Sequence, residues 1–218
     1  MEESVVRLLG RQTSGNVQKV VFCLEEIRLP YVREDYGRQF GNTSTHEYRK
    51  LNPNAKVPTL IDGDLAIWES HTILRYLAAV HAPALTGATP GERTLVERWM
   101  DWLLASLNTP YVAVFKDAKK PAAERAPDFP AQAADLIAQL GILDGHLAAR
   151  KCLALERLTV ADIALAPIIK RCLEFPIERP DFAELKRWQA EMDARAGFAV
   201  ATGAKPGTSS PAARAIAS

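Results

Sequence analysis

The N-terminal part of the chain alternates short apolar runs with apolar positions at helical spacing. The run "SVVRLL" (4–9) predicts a first strand, and the apolar residues after Gly15 share one helical stripe: Val17, Val20, Val21, Leu24 and Ile27. Pro30 ends this helix, and "YVREDY" predicts a second strand. A polar loop then leads to a short predicted helix over 46–51, which the following proline closes.

The stretch "NPNAKVPTLIDGDLAIWES" (52–70) predicts a hairpin that leads into a helix. Pro58 cannot donate to a strand ladder, so it opens the strand "TLI" or lies at its edge. The "DGD" turn and the run "LAIW" complete the hairpin. Glu69 and Ser70 then precede apolar residues at helical spacing: Ile73, Leu74, Leu77 and Val80. The predicted order of elements is β-α-β-α-β-β-α.

The second half of the chain shows helical periodicity only. The segment "HAPALTGATPGE" (81–92) is rich in Pro, Gly and Thr and predicts a linker before it. Phe182, Leu185, Trp188 and Met192 mark the last predicted helix. We therefore expect the following parts: an α/β part over 1–81, a linker over 82–91, an all-helical part over 92–202 and a mobile tail over 203–218.

A capping box lies in the segment "LTVADIALAPIIKRC". Thr159 and Asp162 have the spacing at which the two side chains bond the backbone at a helix start, with Asp in place of the usual Glu. They predict a helix that is buried nearly all round and is kinked or ended near Pro167. Asp162 is therefore assigned a role in folding rather than in catalysis.

Composition narrows the possible functions. The chain has 218 residues and a formal net charge of +1, which gives no reason to expect nucleic acid or an acidic membrane as a partner. No apolar run approaches the ~20 residues of a membrane span, and the N-terminus does not have the pattern of a signal peptide. Cys23, Cys152 and Cys172 form neither a CxxC motif nor a metal-ligand spacing, so we expect small apolar residues in a reducing cytoplasm and no metal site.

Four segments, in this order and spacing, resemble the cytosolic glutathione S-transferase family: "TSGNVQKV", "NPNAKVPTL", "DGDLAIWES" with "ILRYLA", and "LTVADIALAP". The chain is most similar to the bacterial theta-like and nu-like branches, which share "GRxxSxNVQK" and "WMDW". The resemblance implies a thioredoxin-like N-terminal domain, an all-α C-terminal domain, a cis peptide before Pro58 and a homodimer. It also implies glutathione as co-substrate, without a metal, in the detoxification of small hydrophobic electrophiles.

The chemistry that this family performs needs a thiolate. The glutathione thiol should have a pKa near that of cysteine, ~8.5, so lowering it by about two units requires ~2.7 kcal/mol. One hydrogen bond to a charged acceptor contributes ~1.5–3 kcal/mol, and a helix N-terminus adds ~0.3–1 kcal/mol. One hydroxyl at a helix start therefore suffices, and no general base is required.

The turn "QTSGN" offers such a hydroxyl. The resemblance places the catalytic serine at Ser14, but Thr13 could take the role, since nu-like members use a threonine and an asparagine in this turn. Asn16 would orient the sulfur. The alternatives are that Ser14 merely caps the helix and that Asn16 is an ordinary polar residue of its first turn.

The resemblance also assigns the rest of the glutathione site. The peptide group of Val57 would pair with the cysteinyl backbone, and Glu69 and Ser70 would hold the ammonium and α-carboxylate of the γ-glutamyl end. Lys56, assisted by Gln39, would hold the glycyl carboxylate. The alternatives are a solvated turn lysine at position 56 and a plain helix cap at Glu69–Ser70.

The second domain should supply the pocket for the electrophile. Trp102, Tyr111 and Phe115 are candidates because "WMDWLLASLNTPYVAVF" carries large apolar groups, although such a stripe is more often core. The Ala/Pro-rich stretch 119–132 is interpreted as a lip over this pocket. His46 and His71 are interpreted as structural or exposed, because the mechanism needs no base.

Three functions remain open from the sequence. The first is a glutathione transferase that acts on small electrophiles. The second is a glutathione-dependent peroxidase or disulfide reductase on the same fold, which the Thr13 and Asn16 pairing favours a little. The third is a non-catalytic interaction protein, against which the joint presence of Ser14, Val57–Pro58 and Glu69–Ser70 argues.

Overall fold

The structure, a computed structural model, describes residues 5–204, which divide into two compact units. One unit contains the chain up to Pro83 together with the chain from Ala194 onward, and the other spans Ala84–Asp193. Ser4 of the first predicted strand and residues 205–218 of the predicted tail lie outside the described residues. In residues 5–204, no helix combines the length and apolar character needed to cross a membrane.

The first unit contains the predicted β-α-β-α-β-β-α order of elements, which is confirmed. Its strands and helices are β1 (Val6–Leu9), α1 (Gly15–Glu26), β2 (Tyr31–Glu34), α2 (His46–Leu51), β3 (Thr59–Asp62), β4 (Leu65–Trp68) and α3 (Ser70–His81). The four strands form one sheet in the order β2-β1-β3-β4, in which only the β1–β2 pair is parallel. Leu8 pairs with Leu60 and Leu60 with Ile67, so these side chains share a buried face of the sheet.

A further helix, α9 (Ala196–Thr202), also belongs to the first unit. The sequence had placed these residues in the all-helical part over 92–202. The ring of Phe198 packs edge-on against Phe22 of α1 at 5.2 Å, and Arg195 pairs with Glu26 at 2.6 Å. Gly197 permits this contact, because a Cβ there would lie 3.0 Å from the Cβ of Glu25. The helix has seven residues, too few for a clear apolar period, so the helix that Phe182, Leu185, Trp188 and Met192 mark as the last one is followed by one more.

The second unit is helical. Its helices are α4 (Pro90–Trp102), α5 (Asn108–Asp117), α6 (Phe129–Leu147), α7 (Val160–Glu174) and α8 (Ala183–Asp193). A π-helical segment, Leu103–Leu107, joins α4 to α5 without a break. Pro110 explains this segment, because its ring crowds the preceding turn and its nitrogen cannot donate to the carbonyl of Ser106.

The predicted capping box starts α7. The carboxylate of Asp162 accepts hydrogen bonds from the Thr159 backbone N–H at 3.0 Å and the Thr159 hydroxyl at 2.9 Å. It also accepts from the Leu153 N–H at 2.9 Å and from the indole N–H of Trp188 at 3.1 Å. The helix does not end near Pro167 but continues to Glu174, because its buried surroundings hold it in place.

The stretch 119–132 is held by local hydrogen bonds. Asp117 accepts a bond from the Ala126 N–H at 2.7 Å, and Arg125 donates to the carbonyl of Ala118 at 3.2 Å. The guanidinium of Arg125 also lies 4.8 Å from the centre of the Phe129 ring. These contacts give the stretch 119–132 a defined conformation. From the sequence it was interpreted only as a lip over the electrophile pocket.

Candidate functional site

Ser14 lies in the turn between β1 and α1. The Ser14 N–H donates to the carbonyl of Arg11 at 3.1 Å, and the Arg11 N–H donates to the carbonyl of Tyr36 at 3.1 Å, so the turn is tied to the segment that follows β2. Ser14 has extended backbone angles at the N-cap position of α1, but its hydroxyl makes no capping hydrogen bond. The hydroxyl therefore remains available at the start of the helix, which argues against a purely capping role.

Two buried polar side chains hold the loop before β3 by hydrogen bonds. Asn52 donates to the carbonyl of Lys56 at 2.8 Å and to the hydroxyl of Thr59 at 3.0 Å. Tyr48 donates to the same carbonyl of Lys56 at 2.7 Å, and burial raises the pKa of its phenol, which stays protonated. The Val57–Pro58 peptide is cis, as the resemblance implies. This network fixes the Lys56 carbonyl and thereby the backbone that leads into Val57.

Glu69 and Ser70 form the junction between β4 and α3. Glu69 has a φ of +67°, an uncommon angle for a residue with a side chain, and it makes no side-chain cap bond. Its carboxylate instead accepts a hydrogen bond from Asn54 at 3.3 Å. Ser70 is buried at the first position of α3, where the backbone N–H groups lack intrahelical acceptors and favour an anion.

These elements surround two cavities of the first unit. The smaller, which we call the hairpin cavity, measures about 50 Å³ and is lined in part by Asn16, Asn54, Lys56, Val57, Glu69 and Ser70. The larger, the cationic cavity, measures about 310 Å³ and is lined in part by Arg11, Ser14, Asn16, Arg38, Lys56 and Val57. They are contiguous, because Asn16, Lys56 and Val57 line both.

The two cavities differ in charge. Arg11, Arg38 and Lys56 line the cationic cavity, and none of its described lining residues is acidic. Glu69 lines the hairpin cavity together with Lys56, which lines both cavities. Gly37 has a φ of +85°, in the left-handed region that favours glycine. A Cβ at this position would lie 3.0 Å from the guanidinium of Arg11. The arrangement fits an extended ligand with an ammonium at one end and an anion at the other.

Six of the predicted glutathione residues meet at these cavities: Ser14, Asn16, Lys56, Val57, Glu69 and Ser70. Thr13 is exposed one residue before Ser14 and is not among the lining residues. Gln39 is likewise exposed and outside both linings, while its neighbour Arg38 lines the cationic cavity. Arg11 and Arg38 were not predicted from the sequence, although each follows a glycine shortly after a strand, Gly10 after β1 and Gly37 after β2.

The three residues predicted to line the electrophile pocket do not form one cluster in the second unit. Tyr111 and Phe115 form an aromatic cluster with Phe175, at ring distances of 5.9 Å between the first two and 6.1 Å between Tyr111 and Phe175. Trp102 instead packs edge-on against Trp99 at 5.4 Å. Phe175 was not singled out from the sequence, because it lies after a buried helix and shows no period of its own.

Three of the remaining candidates for chemistry, His71, Cys23 and Cys172, are buried, whereas His46 is exposed and Cys152 is half-buried. His71 is 3% exposed, and its Nε2 lies 3.1 Å from the ammonium of Lys19. Burial raises the pKa of the Cys23 thiol to about 12 and that of Cys172 further still, so both are neutral thiols at physiological pH. Among residues 5–204, no group of three or more His, Cys, Asp and Glu side chains is arranged to hold a metal ion.

Family models match both halves of the chain. Residues 13–80 match the N-terminal domain of glutathione S-transferases, and residues 100–196 match the C-terminal domain. The chain is 34% identical over 196 residues to the glutathione S-transferase GstB of Escherichia coli, covering 88% of this chain and 94% of that protein. It is 29% identical to glutathione S-transferase 3 of Zea mays, covering 75% and 78% of the two chains.

Solved structures agree with these matches. A theta class glutathione S-transferase of Xanthomonas axonopodis pv. citri with glutathione bound has 37% identity and a TM-score of 0.86, covering 91% of this chain and 97% of that one. A glutathione transferase family member of Pseudomonas fluorescens with two glutathione bound has 26% identity and a TM-score of 0.80, covering 93% and 94%. The predicted thioredoxin-like and all-α domains are therefore confirmed, and the chain belongs to the glutathione S-transferase family.

Proposed function

We propose that this glutathione transferase joins the sulfur of glutathione to small electrophiles. The observation that carries the proposal is the charge pattern of the two adjoining cavities, with Glu69 in the hairpin cavity, Arg11 and Arg38 in the cationic cavity, and Lys56 lining both. Glutathione has the matching pattern, since its γ-glutamyl end carries an ammonium and a carboxylate and its glycyl end a second carboxylate. In the reaction a sulfur–carbon bond forms, and the leaving group departs with its bonding electrons.

The hairpin cavity takes the γ-glutamyl end in this proposal. The carboxylate of Glu69 accepts from the ammonium, while the Ser70 hydroxyl and the first N–H groups of α3 donate to the α-carboxylate. The backbone of Val57 pairs with the cysteinyl unit. The rigid hydrogen-bond network beneath Val57 supports this role, because a fixed backbone loses little entropy on binding.

The cationic cavity takes the thiol and the glycyl carboxylate. Lys56 and Arg11 bind the carboxylate, and Arg38 replaces Gln39 as the assisting residue, because Arg38 and not Gln39 lines the cavity. Ser14 donates to the sulfur and Asn16 orients it. We prefer Ser14 to Thr13 because only Ser14 is both at the N-cap position and in the cavity lining.

No observation favours the peroxidase or disulfide reductase reading. A cysteine mechanism needs an accessible thiolate at the site. Cys23 and Cys172 are buried with raised pKa values, and the half-buried Cys152 lines neither of the two cavities. The joint presence of six of the predicted glutathione residues at the two cavities argues against a non-catalytic interaction protein. Buried free thiols also support the reducing cytoplasm as the site of action.

Calorimetry with glutathione tests the proposed function. The wild-type protein is expected to bind glutathione and to conjugate 1-chloro-2,4-dinitrobenzene faster than it reduces a hydroperoxide. Glu69→Gln should weaken binding by about ten-fold or more, because a hydrogen bond between charged groups contributes ~1.5–3 kcal/mol. Asp64→Asn, an exposed acidic residue of the nearby hairpin turn, is the matched control and should leave binding unchanged.

One result would contradict the proposed function, and another would contradict the role of Glu69 in it. A wild-type protein that binds no glutathione would favour the interaction protein. Equal binding by the wild type and by Glu69→Gln would remove Glu69 from the site while leaving the reaction in place.

We also propose that the protein is a homodimer. Large apolar side chains are exposed in the first unit, among them Phe40, Leu65 and Trp68, which are 38–49% exposed in the isolated chain. Leu65 and Trp68 lie on β4, an edge strand of the sheet. Light scattering should report twice the mass of one chain, and a monomer at micromolar concentration would refute the assembly.

A further inference from the structure

A second side chain of the hairpin cavity holds the carboxylate that the proposed function assigns to the ammonium of glutathione. The side-chain amide of Asn54 donates to Oε1 of Glu69 at 3.3 Å, and both residues line the cavity. An ionised carboxylate has two oxygens with about four acceptor positions, so Glu69 can accept from Asn54 and from a ligand at the same time. The sequence pattern did not identify Asn54 as a site residue.

The backbone of Asn54 is fixed from the protein interior. Its N–H donates at 3.0 Å to the side-chain oxygen of Asn52, which is 2% exposed. The Ala55 N–H donates to the backbone carbonyl of Asn52 at 3.1 Å, which closes a short turn around Asn54. The amide nitrogen of Asn52 meanwhile bonds the loop before β3, so the same buried side chain holds both parts of this segment.

The backbone of Glu69 is constrained too, but its side chain is not. The φ of +67° sets an uncommon direction for the side chain, which is exposed. An exposed glutamate samples several rotamers, and ordering them on binding costs conformational entropy. The hydrogen bond from Asn54 favours the rotamers that keep the carboxylate in the hairpin cavity. Part of that ordering is therefore complete before a ligand arrives.

A neutral amide is well suited to hold this carboxylate. A lysine or an arginine at position 54 would bond Glu69 more strongly, but its positive charge would repel the ammonium of a ligand. The amide of Asn54 donates a hydrogen bond and carries no net charge, so the negative charge of Glu69 remains available to the ligand.

We infer that Asn54 is a positioning residue for glutathione, which acts by holding the Glu69 carboxylate toward the ammonium of the γ-glutamyl end. This inference rests on the proposed function and adds a residue to it. Because Asn54 acts through Glu69, its effect requires both that carboxylate and a ligand with the ammonium. A residue that only shaped the loop would affect every ligand of the cavity equally.

Calorimetry with Asn54→Ala tests the inference. The Kd for glutathione should rise about five-fold, the equivalent of about 1 kcal/mol. In a Glu69→Ala background the same change should alter Kd by less than about two-fold, because the two residues act as one unit. Asn108→Ala is the matched control, since Asn108 is an exposed asparagine of α5 outside both cavity linings, and it should bind glutathione like the wild type.

A second ligand separates positioning from a general effect on the loop. Glutaryl-cysteinylglycine differs from glutathione only in lacking the ammonium, and it keeps both carboxylates and the thiol. Its Kd should differ by less than about two-fold between the wild type and Asn54→Ala.

Three results would overturn the role of Asn54 while leaving the proposed function in place. They are an unchanged Kd for glutathione in Asn54→Ala, an equal five-fold loss in the Glu69→Ala background, and an equal loss for the glutaryl peptide. A wild-type protein that binds no glutathione would instead refute the proposed function, and the role of Asn54 with it.

Discussion

Replacing Ser14 by alanine is expected to lower kcat/KM for glutathione conjugation by about ten-fold or more, or about 1.4 kcal/mol. The hydroxyl lies at the N-cap of α1 without a capping bond and lines the cationic cavity, so it can donate to the sulfur. A hydrogen bond to a charged acceptor contributes ~1.5–3 kcal/mol, which corresponds to about one to two pKa units. Loss of the bond should therefore raise the pKa of the bound thiol by at least about one unit.

Ultraviolet absorbance of the bound thiolate as a function of pH measures that pKa directly. Below the thiol pKa the rate follows the thiolate fraction, so the kcat/KM profile of Ser14→Ala should shift to higher pH. Thr13→Ala is the matched control, because Thr13 is exposed and outside the cavity lining, and it should change kcat/KM by less than about two-fold. The reverse ranking would assign the donor to Thr13, and two unchanged variants would refute the mechanism in this turn.

Replacing Asp162 by alanine is expected to destabilise the second unit by roughly 3–5 kcal/mol. Its carboxylate is buried and accepts four hydrogen bonds, from Leu153, from Trp188 and twice from Thr159. An alanine leaves these buried donors without acceptors, at ~1–3 kcal/mol each, although relaxation and water recover part of the loss. Because domains are stable by only ~5–15 kcal/mol, this change removes a large share of the total.

Urea unfolding measures the effect. Asp162→Asn keeps the size and one acceptor oxygen, so it should cost less than alanine, roughly 2 kcal/mol, and it provides a folded variant if alanine prevents folding. Asp135→Ala is the matched control, since Asp135 is an exposed residue of α6 with one hydrogen bond to Gln139, and it should cost less than about 0.5 kcal/mol. A stable Asp162→Ala protein that is inactive would instead indicate a direct role in the reaction.

Features encoded by neighbouring residues could be read from the sequence. The capping box at Thr159 and Asp162, the hairpin after Pro58 and the helix start at Ser70 each depend on residue types a few positions apart. Turn and cap chemistry is local, so the sequence alone identifies the element and its end. For the same reason Ser14, Glu69 and Ser70 could be proposed as site residues, each at the start of a helix.

Contacts between residues that are far apart in the sequence could not be predicted from local residue types. Arg11 and Arg38 come to the same cavity because β1 and β2 pair in parallel, which brings the ends of both strands to one edge of the sheet. In the second unit, Phe175 rather than Trp102 joins Tyr111 and Phe115, because α7 runs past Pro167 and ends beside α5.

The sequence by itself therefore determined the order of elements and the helix starts, and it supplied the candidate site residues at those starts. Only the tertiary structure decided the charge of each cavity, the placement of α9 against α1 and the partners of the aromatic residues. The physical reason is that periodicity and capping act over a few residues of chain. Cavities, in contrast, are closed by packing between segments whose separation along the chain carries no such pattern.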